Sequence, residues 1–559
     1  MTDRTRVLVL GGGVGGMTAA HELAERGFDV LVVDARDIPG GKARSMPAKG
    51  TGRPLEPGAP DRPDLPAEHG FRFFPGFYVH VPDTMSRIPF GDNERGVLDN
   101  LRSSTRAEMA RVGQRPLVVP ARFPRSVADV RLIGQAMRHS DLGIPIRDMA
   151  HFAGRLLRLL TSCDERRYEQ WEHESWWEFC GAATRSEAYQ KYLATGLTRT
   201  LVAAQADKIS ARTGGYILLQ LVFDMLEPSQ TVDRVLDGPT NDRWIDPWLA
   251  HLRALGVQYR SNATVTAIRC DGQRITGVDV DEGAGPTTIS ADWYVAAMPV
   301  EEFAPLVTEQ MRAAEPRLGS LGQLQTRWMN GIIYYLRTDI PLVNGHTIYI
   351  DSPWALTSIS QPQFWEGIDI AGMGDGEVRG ILSVDVSDWT TPAPRCGDRP
   401  AVDCTEQEVV EEVWRQLCDH LNVDGQVVLR QEDRVASFVD TDIDFRNPHQ
   451  TINLEPLLIN TAGSWDLRPE PDTAIGNLFL ASDYVRTFTD LATMEGANEA
   501  ARRAVNGLLD AIGSEAERCR TWKLHEPRLF APLRALDRLV YRRRRRRLGV
   551  ISPPVTGPR

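Results

Sequence analysis

Within its first 34 residues the chain sets out a strand, a glycine turn, a helix and a second strand, and few architectures accept that order. Arg6 to Leu10 (RVLVL) is an apolar run that breaks into Gly11-Gly12-Gly13-Val14-Gly15-Gly16, after which Met17 to Arg26 reads as a helix with Ala and Leu on one face. Gly27 ends that helix, and Asp29 to Val33 (DVLVV) is a second apolar run. Both runs are apolar almost throughout, as strands of a parallel sheet covered on both faces must be. The spacing of Gly11, Gly13 and Gly16 is G-x-G-x-x-G. Gly11 permits the tight turn, Gly13 lets backbone approach a pyrophosphate, and Gly16 lets helix and strand pack closely, with the helix N-terminus facing the phosphates. Asp34 closes the second strand, where a carboxylate can accept ribose hydroxyls. Gly11, Gly13, Val14, Gly15, Gly16 and Asp34 are therefore the expected cradle of a dinucleotide.

Three further stretches narrow the ligand. Asp34-Ala35-Arg36 leads into Gly40-Gly41-Lys42-Ala43-Arg44, a second glycine pair with cations that can meet the pyrophosphate from the other side. Glu68-His69-Gly70-Phe71-Arg72-Phe73-Phe74-Pro75-Gly76-Phe77-Tyr78 joins an acidic residue, glycines and aromatics, and Asn477 to Tyr484 (NLFLASDY) precedes Ala492 to Ala497 (ATMEGA). In this set the sequence resembles the FAD-containing amine oxidase and phytoene desaturase superfamily, and within it the carotenoid desaturases and hydroxysqualene dehydroxylase-like oxidoreductases. The resemblance implies non-covalent FAD, with Ala35, Lys42, Ala43 and Arg44 near the pyrophosphate. It also implies Gly70, Phe71, Arg72, Phe73 and Tyr78 along the flavin, and Asp483 and Met494 at the closing motif. Val265, in the run Thr264 to Ile268, matches the strand whose backbone meets adenine. Ser482 departs from the pattern, since many members carry Gly there. His69, Arg72 and Tyr484 are candidates for roles beside the flavin, against duty in cofactor binding or packing.

The implied fold class is α/β: a Rossmann-like, discontinuous FAD-binding domain with a mixed α+β substrate domain carrying a helical insert. The expected layout is FAD-binding parts at 1–82, 231–300 and 475–515, a helical substrate region at 83–230, a substrate domain at 301–474 and a basic C-terminal helix and tail at 516–559. Gly283-Ala284-Gly285 and Gly372-Met373-Gly374 lack a strand-to-helix setting, so no second dinucleotide turn is expected. No Cys lies between 420 and 518, which disfavours covalent flavin at a C-terminal cysteine.

Composition removes other classes. A net charge of −11 is wrong for a general nucleic-acid binder. Seven scattered cysteines without a C-x-x-C pair give neither a disulfide framework nor a zinc site, and no metal is expected. The N-terminus lacks the pattern of a signal peptide, so a reducing cytoplasm is the expected location. Charge is uneven: Thr521 to Arg559 carries eleven Lys or Arg against Glu526 and Asp537. There Leu529, Phe530, Leu533, Leu536 and Val540 recur at helical spacing before six arginines, which fits either a helix lying peripherally on an anionic membrane or one docked on the body.

The resemblance implies desaturation of a lipophilic polyene or isoprenoid by hydride transfer to flavin N5, with an external acceptor, oxygen or quinone. The rivals are a flavin-dependent non-redox isomerase or hydroxysqualene dehydroxylase-like enzyme, an amine oxidase, and a non-catalytic flavin-bearing lipid-binding protein. Trp171, Trp176, Trp177 and Phe179 are either the wall of an apolar tunnel or ordinary helix core. No catalytic acid or base is identifiable from the sequence.

Overall fold

The computed structural model describes residues 5–547, except 56, 71, 127–128, 130, 132–141, 197–204, 229–230 and 448–449, together with 557–558. The opening strands, Arg6–Leu10 and Asp29–Val33, lie at the centre of a five-stranded sheet. Its order is Leu478–Leu480, Trp293–Ala296, Arg6–Leu10, Asp29–Val33, Gln258–Arg260, and every pairing is parallel. Leu8 sits between Leu31 and Tyr294 in this register. Alternate residues serve opposite cores, which is why the strands are apolar throughout. Val7, Val9, Val30 and Val32 face a core shared with the helices Val14–Glu25 and Met494–Ala511. Leu8, Leu10, Leu31 and Val33 face a core closed by the antiparallel strands Thr264–Cys270, Ile275–Asp281 and Pro286–Ile289. One sheet thus draws its strands from three distant stretches of chain.

A second, seven-stranded sheet stands against the first. It runs Arg434–Val439, Asn330–Leu336, Gly380–Val386, Leu356–Ser360, His346–Tyr349, Arg106–Arg111, Gln114–Pro120. The helix Glu406–Leu421 covers it, started by a capping box between Thr405 and Glu408. Here the expectation of a helical region over 83–230 needs correction. Arg106–Arg111 and Gln114–Pro120 form a hairpin that extends this sheet through a parallel pairing with His346–Tyr349. Glu108 and Arg111 put charges inside the alternating pattern, which disguises the strands in the sequence.

The helical remainder of that region, with Ile146–Thr161 and Ala211–Leu226, is built around its own core. Trp171, Trp176 and Phe179 are buried in it, with Trp177 packed against it. Trp176 stacks on Phe179 at 5.9 Å between ring centres. These aromatics are helix core, and none of them is among the residues lining the large cavity described below. Cys396 and Cys404, eight residues apart, bring their sulfurs within 2.7 Å. No helix among the described residues is long and apolar enough to cross a membrane.

Candidate active site

A cavity of about 670 Å³ lies between the two sheets, of a size common for small-molecule sites. Its nucleotide end is made almost entirely of backbone. Gly11 takes φ +103°, a left-handed conformation that a side chain resists, and its N–H donates to the Val33 carbonyl at 2.9 Å. A Cβ on Gly16 would run into the Gly11 carbonyl oxygen, and one on Gly15 into the carbonyl of Ala481. Gly13 ends the turn as N-cap of the helix Val14–Glu25, with no side-chain cap and no acidic residue in the first turn. The N–H groups of that first turn have no intrahelical acceptor and carry the positive end of the helix dipole. Gly11, Gly13, Val14 and Gly15 line the cavity; Gly16 sits behind them as the packing residue.

Asp34 is held rigidly at the end of its strand. Its carboxylate accepts the N–H of Gly12 at 2.5 Å and that of Arg36 at 2.8 Å. Burial pushes its pKa above the ordinary carboxylate range, against those two donors. Gly12, which the sequence pattern leaves as any residue, is also constrained. Tyr259 donates to its carbonyl at 3.1 Å and fills the space a Cβ would need. Ala35 lines the cavity beside Asp34, and Val265 lines it at a β-bulge that interrupts pairing between Val265 and Ala267.

Lys42, Ala43, Asp483 and Met494 line the middle. Lys42 donates to Glu301 and to the Pro456 carbonyl, each at 2.5 Å, so this cation already has partners from two segments distant in sequence. Ser482 donates to Asp483 at 3.3 Å. Thr493 caps the helix Met494–Ala511 by accepting from the N–H of Gly496, and its first turn also borders the cavity. The cavity therefore has two helix N-termini on its wall, one uncapped and one capped.

The far end depends on side chains. Gly70, Arg72, Phe73 and Tyr78 line it, while Phe71 lies outside the described residues. Arg72 donates to the carbonyls of Lys42 and Gly70, each at 2.5 Å, and ties the second glycine pair to the aromatic segment. His69 lines the cavity and is almost fully buried, with Nδ1 at 2.7 Å from Asp440. Burial opposes charge on the ring, and Asp440 overrides it, so the His69 pKa rises to about 9. Among the described residues Nε2 has no hydrogen-bond partner.

Behind His69 an ion-pair network joins distant segments. Arg44 pairs with Asp442 and, at 2.9 Å, with Glu455, while Arg36 reaches Asp442 at 3.2 Å and Glu455 at 2.7 Å. Arg44 is thus a buried strut and does not line the cavity, contrary to its expected place near the pyrophosphate. Tyr484 is corrected likewise: it is fully buried and stacks on Phe303 at 6.1 Å between ring centres. Ligand-type atoms of His69, Asp440 and Asp442 lie within 4.8 Å of one another. Two guanidinium groups already engage Asp442. Asp385 and Asn460, on wall segments with no sequence motif, complete the lining.

The residues present fit a flavin dinucleotide. First-turn N–H groups suit phosphates, and Glu301 Oε2, Asn460 Nδ2 and His69 Nε2 are buried polar atoms at the wall with no partner among the described residues. Buried polar atoms are seldom left so unless a ligand completes them.

The family model described as flavin containing amine oxidoreductase matches residues 14–509. A zeta-carotene desaturase of Synechocystis is 24% identical over 529 residues, covering 90% of this chain and 97% of that protein. A 15-cis-phytoene desaturase of Synechococcus elongatus is 22% identical over 512 residues, covering 88% and 93%. Among solved structures, cyclohexylamine oxidase from Brevibacterium oxydans aligns with a TM-score of 0.57 at 14% identity, over 91% of this chain and 100% of its own. An oxidoreductase from Methanosarcina mazei aligns at 0.57 and 12% identity, over 89% and 98%. At such identities the structural matches speak for the fold alone. With the family model spanning nearly the whole chain, the protein belongs to the flavin-containing amine oxidoreductase family.

Proposed function

We propose that this chain binds FAD non-covalently and dehydrogenates a lipophilic polyene or isoprenoid, passing electrons to oxygen or a quinone. The observation that carries the reading is the union, in one cavity, of the glycine cradle with an apolar wall from Ile209, Met329, Leu454, Leu457, Leu458 and Ile459. The near full-length likeness to two carotenoid desaturases supports the substrate class.

When bound, FAD supplies a two-electron hydride acceptor. The chain holds and tunes it. The first-turn N–H groups of Val14 and Gly15 take the pyrophosphate, and Asp34 takes ribose hydroxyls. The apolar wall excludes water and grips a hydrocarbon through contact area. His69, kept protonated by Asp440, donates from Nε2 into the cavity and favours negative charge there. Asp385, beside Gly70, is the carboxylate we assign to accept the proton lost as hydride leaves the neighbouring carbon.

The test is anaerobic incubation of the yellow protein with polyenes while following flavin absorbance and product mass. Bleaching with loss of two hydrogens is the expected result. Altered polyene absorbance at unchanged mass would move the assignment to isomerisation, and peroxide release with simple amines to amine oxidation. Retained colour with every ligand would leave a binding protein.

A further inference from the structure

The C-terminal helix Ala531–Arg547 docks with its polarity reversed. A surface helix ordinarily buries its apolar stripe and exposes its charges. Here the buried side is ionic. Asp537 accepts from Arg166 at 2.8 Å and from the Cys163 N–H at 2.9 Å. Arg538 and Arg542 reach Glu165 at 3.1 and 2.6 Å, Arg545 reaches Glu169 at 3.0 Å, and Tyr541 donates to Glu169 at 3.1 Å. Arg534 pairs with Glu526 at 3.2 Å. These positions share one side of the helix, at a period near 3.6 residues.

The opposite side carries Leu533, Leu536, Leu539 and Val540, and Leu529 continues it upstream; all five are 47 to 82% exposed. Arg543 and Arg547, both exposed, extend that same outward face, with Arg544 and Arg546 beside them. The helix packs against Ile146–Thr161, which buries an ordinary apolar side, with Phe152, Leu156, Leu159 and Leu160 at the core, and still leaves apolar residues outside. Ile146, Met149 and Leu157 face away from Asp148 and Leu159, which are buried, and are 48 to 81% exposed. Two adjoining helices thus leave apolar stripes in solvent, a costly arrangement unless a partner covers them.

We infer that this two-helix face is a docking surface for an anionic lipid bilayer, with the leucines entering the acyl boundary and Arg543, Arg544, Arg546 and Arg547 on the headgroups. Charge decides between occupants. A symmetric contact of two copies would bring two arginine clusters onto one interface, and the local carboxylates Glu165 and Glu169 are already paired. An anionic surface complements the arginines and the leucines together. The ion pairs that hold the helix to the body make it a rigid foot, so binding needs no folding transition. The inference rests on the tail and its neighbour and stands apart from the substrate assignment.

The experiment is co-sedimentation of the full-length, flavin-loaded protein with vesicles of phosphatidylcholine alone or mixed with phosphatidylglycerol, at low and high salt. Wild type is expected to sediment with the mixed vesicles and weakly with the neutral ones. Leu536→Glu with Val540→Glu should lower partition by at least about tenfold. Arg543→Gln with Arg547→Gln should lower it by about fivefold per arginine, an effect that fades in high salt. Flavin content, melting temperature and turnover of detergent-dispersed substrate should stay at wild-type values in both variants. Absence of sedimentation with mixed vesicles at low salt, or equal partition of the leucine variant and wild type, overturns the inference. So does light scattering that finds a wild-type dimer which Leu536→Glu with Val540→Glu converts to monomer. Failure of every polyene in the turnover assay would bear on the catalytic reading and leave the vesicle result intact.

Discussion

At its nucleotide end the cavity is made by residues 11–16 and Asp34, which touch one another through backbone groups within a short stretch. At its other end His69, Arg44, Asp440, Asp442 and Glu455 come together as side chains from segments almost 400 residues apart. The first end requires what a chain lacks, Cβ atoms at particular positions, and tolerates no alternative. The second requires opposite charges in balance, which other residue sets could supply. Failure should therefore differ in kind: steric and complete at one end, electrostatic and dependent on pH at the other.

The strongest test of the steric end is Gly16→Ala. The new methyl would coincide with the Gly11 carbonyl oxygen, and backbone cannot yield there without opening the helix from its strand. A loss above about 5 kcal/mol is expected, enough to prevent a folded, yellow protein. Soluble yield and flavin retained after desalting measure it. A stable, fully loaded Gly16→Ala protein would break the contrast, because it would show that the turn can relax.

Arg44→Met tests the electrostatic end while conserving most of the side-chain volume. It leaves Glu455 with only the half-exposed Arg36, and Asp442 with Arg36 and, at 3.7 Å, His69. Breaking a buried pair from one side costs about 3 to 5 kcal/mol. The protein should still fold, with a lower melting temperature and with flavin present. Replacing Asp442 by Asn in the same chain should recover part of the loss, since it removes one of the undercompensated charges. Additive loss in the double variant would mean that Arg44 acts by packing and not by charge.

The same contrast explains what the sequence could and could not tell. The strands around residues 6–33, 293–296 and 478–480 were legible because burial on both faces leaves an apolar run, and the cradle because glycine has few substitutes at φ +103°. Lys42 and Asp483 stand at the cavity because they are tied to local motifs. Arg44 shares the motif with Lys42, yet it turns the other way, and only the carboxylates near residue 450 decide that. Asp385, Asn460 and Asp440 carry no local signal at all, since one polar residue in a strand or loop reads as any other. Tyr484 is the converse case: its neighbour Asp483 lines the cavity, and the turn closed by the Val485 N–H on the Ser482 carbonyl sends the tyrosine into the core.

A smaller effect, with a definite sign in pH, is expected from Asp440→Asn. His69 has its folded-state pKa raised from 6.5 to about 9, so its pairing stabilises the fold fully below pH 6.5 and not at all above about 9. Removing the Asp440 charge should cost about 3 kcal/mol near pH 6 and progressively less toward pH 9. Denaturant midpoints taken across that range measure the slope. A cost independent of pH would assign Asp440 to its other bond, from Asn330 Nδ2 at 2.6 Å, and would remove the charged state of His69 from the proposed chemistry.

The smallest effect is predicted for Ser482→Gly, at the residue that departs from the family pattern. Ser482 lines the cavity next to Asp483, and its hydroxyl donates to that carboxylate at 3.3 Å, at the long end of hydrogen-bond distances. Ser482 is absent from the described positive-φ positions, so glycine has no strain to relieve there. What remains is a gain in backbone entropy of the unfolded chain and the loss of one weak bond, together about 1 kcal/mol or less. Flavin affinity should change by less than about fivefold, the factor that such an energy allows. A much larger loss of affinity would mean that the hydroxyl orients Asp483 for the cofactor. The nucleotide end would then depend on a side-chain contact after all, and the division between a steric end and an electrostatic end would have to be redrawn at that residue.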